Sequence, residues 1–120
     1  MAVDPTRESV RRFVAEDDGQ PVVMLNLLRF APGGREDYEA YRQAVATRFL
    51  PAVGGELVYA GLGSTPLVAE DGQSWDAVLL VRYPSRAALL AMMRDPDYQE
   101  VTRRRTSALK EAVLQATTPW

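Results

Sequence analysis

Two segments constrain this chain more than any other feature: Val22–Phe30, VVMLNLLRF, and Ala77–Tyr83, AVLLVRY. Both are short, aliphatic and bounded by turn residues, which predicts strands. A strand with one wet face alternates apolar and polar residues. These two carry apolar residues at both parities, so each predicts a strand that needs cover on both sides. A single amide, Asn26, interrupts the first.

The cover available can be counted along the chain. Asp4-Pro5 predicts a helix start with Asp4 as cap, and Val10, Phe13 and Val14 share one face up to about Glu16. Asp17-Asp18-Gly19-Gln20-Pro21 ends that helix. After the first strand, Ala31-Pro32-Gly33-Gly34 is a loop. Tyr38, Tyr41, Val45 and Phe49 then recur at helical spacing between Arg35 and Ala52. Gly54-Gly55 breaks the pattern. A strand follows at Glu56–Ala60, with a continuation at Thr65–Ala69 and a hairpin turn at Glu70-Asp71-Gly72-Gln73. Beyond Ala77–Tyr83, Ser85 caps a helix over Arg86–Arg94. Asp95-Pro96 starts another, with Tyr98, Val101, Ala108 and Leu109 on one side. Val113–Thr118 is the last strand.

With the leading helix set aside, the order is β-α-β-β-α-β, an α+β ferredoxin-like antiparallel sheet with helices on one face. Residues 1–20 are an N-terminal helical extension and 21–120 the domain proper. The second apolar face has nothing left in the chain to cover it, and a bare apolar sheet is a liability in water. A second copy packing sheet against sheet supplies the cover, so the chain is expected to form a homodimer.

Composition narrows the chemistry by exclusion. There is no His and no Cys, so the usual zinc, haem and iron–sulfur ligand sets and the Ser-His and Cys-His nucleophile pairs cannot be built. No spaced carboxylate cluster suggests a hard cation, and the short glycine pairs lack a phosphate-binding fingerprint. No metal and no cofactor is expected. A net charge of −2, from 14 basic and 16 acidic residues, gives no footprint for nucleic acid or an anionic membrane. No run is long enough to span a bilayer, and MAVDPTRESVRRF lacks the layout of a signal peptide. A cytoplasmic location is the expectation.

Strand parity supplies a candidate site. If Val23, Leu25 and Leu27 face the helices, Asn26 faces the other way, toward the second subunit. Arg82 and Gln115 are expected on that same inner face, with Trp75 and Tyr59 as aromatic walls. Buried amides and guanidinia need partners. Either these groups satisfy one another, Asn26 with Arg82, or they orient a ligand in the lumen between the sheets. Tyr38, Tyr41 and Tyr98 lie at core spacing and are read as packing. Arg103-Arg104-Arg105 fan over about 200° of helix and are read as a solvated face.

The segments PVVMLNLLRF, EDYEAYRQAV, YPSRAALLAM and RDPDYQEVTRRR together resemble the family called domain of unknown function 1330, over about residues 21–118. YPSRAA followed by DPDYQ is the most specific part, and the leading helix lies outside it. The resemblance implies the dimeric α+β barrel superfamily, in which two ferredoxin-like sheets form a barrel, and implies no established reaction. Three readings follow: a module binding a small apolar or aromatic metabolite in the lumen, a cofactor-independent enzyme of monooxygenase or isomerase type acting there, or a structural domain with a filled core.

Overall fold

A computed structural model describes residues 1–120. A four-stranded antiparallel sheet is built from β1 (Val22–Phe30), β2 (Glu56–Leu62), β3 (Ala77–Tyr83) and β4 (Leu109–Thr117), in the order β2-β3-β1-β4. Helices α1 (Arg7–Ala15), α2 (Gly34–Ala44), α3 (Leu50–Ala52), α4 (Arg86–Arg94) and α5 (Pro96–Ala108) complete the chain. The two most apolar strands, β1 and β3, take the centre, where both backbone edges are hydrogen-bonded. No helix is long and apolar enough to cross a membrane.

A five-residue π-helical segment, Val45–Phe49, joins α2 to α3. Pro51 lacks an N–H and its ring crowds the carbonyl of Thr47 in a regular α-helix, so a wider turn relieves the conflict. The Leu50 N–H accordingly donates to the Val45 carbonyl. Two glycines set the start of α2. Gly33 adopts a left-handed φ of 71°, and a Cβ on Gly34 would collide with the Ala108 carbonyl. This close approach locks the start of α2 against the end of α5.

Local sequence explains several differences from expectation. α1 is capped by Thr6, whose hydroxyl accepts from the Ser9 N–H in a reciprocal capping box. Asp4, expected as the cap, instead accepts from Arg105 and Thr106 of α5. Thr65–Ala69 is not a strand, because Pro66 cannot donate to a ladder, and Leu67 and Val68 stand in solvent. The turn at residues 70–73 forms, with the Gln73 N–H donating to the Glu70 carbonyl. β4 begins at Leu109, four residues earlier than expected; Leu109 extends the apolar stripe of α5 and is ambiguous between the two periods.

The central correction concerns parity. Val22, Met24 and Leu28 are buried, Leu28 completely, whereas Val23, Leu25 and Leu27 are half-buried. The even residues of β1, Asn26 included, therefore face the helices. On β3 the expected side holds: Ala77, Leu79 and Tyr83 are buried beneath them. Asn26 pairs across with Leu79 on β3 and Leu114 on β4, and directly opposed residues share a face. The core is the space between this face and α2, α4 and α5, filled by Tyr38, Tyr41, Phe49, Leu50, Leu89, Met92 and Tyr98 from the helical side.

Candidate functional site

The space between sheet and helices is not completely filled. A cavity of about 330 Å³ remains, with Met24 and Asn26 of β1, Leu79, Val81 and Tyr83 of β3 and Leu114 of β4 as its floor. Tyr38 and Tyr41 of α2, Met92 of α4 and Tyr98 and Arg105 of α5 stand over it. Asp4 and Pro5, Leu57 and the π-segment residues Val45 and Ala46 also line it.

Four of the five tyrosines thus meet at one cavity. Their placement follows from spacing: Tyr38 and Tyr41 are one turn apart on α2, and Tyr98 opens the buried stripe of α5. The rings form a run, Tyr38 to Tyr41 at 5.4 Å between centroids, Tyr41 to Tyr98 at 6.2 Å and Tyr98 to Phe49 at 5.6 Å. The Tyr41 and Tyr98 hydroxyls share a hydrogen bond of 2.7 Å. Burial pushes the Tyr38 phenol up to about 12, against the opposing pull of the Arg105 charge. Burial also raises Tyr41 and Tyr83 well above the ordinary tyrosine value, with the neighbouring phenols adding to it. All three are neutral near pH 7, available as hydrogen-bond donors and unsuited to act as bases.

Arg105 is the buried charge of the molecule, 6 % exposed. Its Nη1 donates to the Val3 carbonyl at 2.8 Å and to Asp4 Oδ1 at 3.3 Å. Asp4 also accepts from the Thr106 hydroxyl at 2.9 Å. The segment preceding α1 is tied down a third time, where the Ala112 N–H of β4 donates to the Ala2 carbonyl. α1 itself buries no residue, and Arg86 holds its end by donating to the Phe13 carbonyl and stacking over the Phe13 ring. The N-terminal segment, whose Asp4 and Pro5 line the cavity, is thus pinned by groups of α5 and β4.

The residues expected to converge do not. Asn26 lines the cavity, and its Nδ2 donates to the Met24 carbonyl at 3.3 Å. Arg82 and Gln115 lie on the opposite face of the sheet, since Arg82 pairs with Val23 and Gln115 with Leu25. Arg82 has a loose, half-exposed ion pair with Glu56 at 3.9 Å. Tyr59 is on that face too, 56 % exposed, its ring over Gly61. Trp75 is held under the Arg29 guanidinium at 4.1 Å, while Arg29 also pairs with Glu111 at 2.7 Å. The face of the sheet away from the helices therefore contains Arg82, Gln115 and Tyr59 but not Asn26.

Sequence reasoning missed Tyr38, Tyr41, Tyr83, Tyr98 and Arg105 as site residues. Arg103 and Arg104 are exposed, as a solvated face requires. Arg105 is not, and the signal was present: it lies seven residues from Tyr98, two turns along the same buried stripe. No group of three or more His, Cys, Asp or Glu side chains is placed to hold a metal ion.

Comparison with known proteins fits this geometry. The chain is similar over 98% of its length to the RPA0582 protein of unknown function from Rhodopseudomonas palustris, at 33% identity, 96% coverage of that chain and a TM-score of 0.88. More distant likenesses show the fold alone. A putative antibiotic biosynthesis monooxygenase from Bacteriodes thetaiotaomicron is 22% identical, with 83% and 90% of the two chains covered and a TM-score of 0.56. A hydroxynitrile lyase from Passiflora edulis is 14% identical, with 82% and 93% covered and a TM-score of 0.62. No curated protein matches the sequence. The architecture is that of the dimeric α+β barrel proteins. The model of the family described as "Domain of unknown function (DUF1330)" matches residues 28–117, and the chain belongs to that family.

Proposed function

We propose that this protein binds a small, largely apolar or aromatic metabolite in the cavity between its sheet and its helices. The observation carrying the reading is the tyrosine-lined cavity itself, with mostly apolar walls and a few polar groups at fixed positions. Its volume of about 330 Å³ falls at the lower end of the range for ligand pockets, about 300–1,000 Å³. Binding is favoured over catalysis because three of the cavity phenols are held neutral, which leaves Asp4 as the lining carboxylate able to move a proton. A ligand here lies within one subunit, not in the lumen between two sheets.

The open face supports a second part of the reading, a homodimer. Val23, Leu25 and Leu27 with Val78, Leu80 and Val113 make a continuous apolar surface, and a second copy laid sheet on sheet removes it from water.

Titration with 2-naphthol tests the cavity. Ala46→Phe, which adds a ring at an exposed position of the cavity wall, should weaken binding at least about tenfold while the melting temperature moves little. Leu80→Glu, on the open face, should leave binding in place and convert a dimer to a 13.3 kDa species in light scattering. Binding lost with Leu80→Glu and kept with Ala46→Phe would place the ligand between the sheets instead.

A further inference from the structure

The polar groups around the cavity are unequally satisfied, and the imbalance has a sign. A guanidinium carries five N–H donors. Arg105 uses only Nη1, on Val3 and Asp4, while Nε and Nη2 donate to no protein group. The Tyr38 and Tyr83 hydroxyls likewise have no partner in the protein, although both residues are buried. No side-chain nitrogen or oxygen is sealed from solvent without a partner, so these free groups keep access to solvent, and all three residues line the cavity. Arg42, the other cation at the wall, is turned to Glu39, to which it donates at 2.9 and 3.2 Å. Asp4, the one lining carboxylate, is already committed to Thr106 and Arg105. The cavity therefore offers a buried positive charge with spare donors and no free acid.

From this we infer that the cavity selects anions: its ligand carries a carboxylate or an equivalent oxyanion on an aromatic or apolar body, and that charge is received by Nε and Nη2 of Arg105. The inference rests on the binding reading above and adds the ligand's charge. Charge-assisted hydrogen bonds in a buried site are about twice as strong as neutral ones. A guanidinium with part of its fork unmet gains from an anion what a neutral isostere cannot supply. The Asp4 carboxylate shares Arg105 with the incoming anion and opposes it. Asp4 is thus a specificity-determining residue that holds affinity down.

The test compares 2-naphthoate with its neutral isostere 2-naphthamide by calorimetry on the full chain. Naphthoate should bind tighter by about tenfold or more, the worth of one charged hydrogen bond. Arg105→Met should erase that preference, bringing the naphthoate-to-naphthamide affinity ratio to about one. Asp4→Ala should strengthen naphthoate severalfold and raise the ratio of naphthoate to naphthamide affinity. This arm decides the matter if circular dichroism shows Arg105→Met to be unfolded, and weaker naphthoate binding in Asp4→Ala overturns the inference. Equal binding of the two compounds overturns anion selectivity and leaves the cavity reading standing. Binding of neither overturns both.

Discussion

The two faces of the sheet are made of nearly the same residues and have opposite fates. On one face Val22, Met24, Leu28, Ala77 and Leu79 are buried under three helices. On the other, Val23, Leu25, Leu27, Val78 and Leu80 alternate with them along the same two strands and are only half-buried. Hydrophobicity alone does not distinguish them. Polar groups do: the helix face collects tyrosine hydroxyls, Asn26 and Arg105 around a void. On the open face, the Arg29–Glu111 and Arg82–Glu56 pairs lie beside the aliphatic patch. A covered face can enclose a site, whereas an uncovered one can only meet another surface.

Neighbouring leucines test that contrast most severely. Leu28→Ala should cost about 2–5 kcal/mol in urea denaturation, since it empties a completely buried position. Leu27→Ala, one residue along, should cost far less at low protein concentration, with a penalty that grows as concentration rises and the open face becomes covered. Equal, concentration-independent losses at both positions would abolish the distinction between the faces.

The next effect belongs to the tyrosines. The folded Tyr38 phenol is held up to about 12 against an ordinary value of 10.0, so the folded state keeps its proton longer than the unfolded chain. That stabilisation is complete below about pH 10 and is lost as pH rises through about 12. Two pKa units correspond to about 2–3 kcal/mol. Stability should stay level to about pH 9 and then fall, and Tyr38→Phe should remove about that much of the drop. An unchanged alkaline slope in the variant would show that the helix face is wetter at Tyr38 than its burial indicates.

The smallest effect is a null. Asn26 and Arg82 stand on opposite faces, so Asn26→Leu and Arg82→Met should be additive in thermal denaturation within about 0.5 kcal/mol. Asn26→Leu alone should hold or raise stability, because it removes a half-buried amide with one weak partner, while ligand binding falls. A coupling above about 1 kcal/mol would mean that the two side chains meet after all.

Element order was legible because helical and strand periods are written plainly into most of the chain. The parity of β1 was not. Alternation carries information only where one parity is polar, and VVMLNLLRF is apolar at both. Assigning the uniformly aliphatic parity to the helices gives the right side in β3, with Ala77 and Leu79, and the wrong one in β1, with Val23, Leu25 and Leu27. Its true side is fixed by cross-strand register with Leu79 and Leu114, which sequence does not contain. The tyrosines were placed in the core rightly, but that a void remains between them depends on how far the helices stand from the sheet. Arg105 was obscured by its two exposed neighbours, though its stripe could have been followed.

The chain contains no cysteine, and this bears on the segment pinned by Arg105 and Arg86. One thiol introduced at Arg11, on the exposed side of α1, is unique in the molecule and forms without displacing any native sulfur chemistry. A spin label attached there reports the mobility of α1 with no background to subtract. The segment that brings Asp4 and Pro5 to the cavity wall thus comes with a convenient place for a probe to watch it.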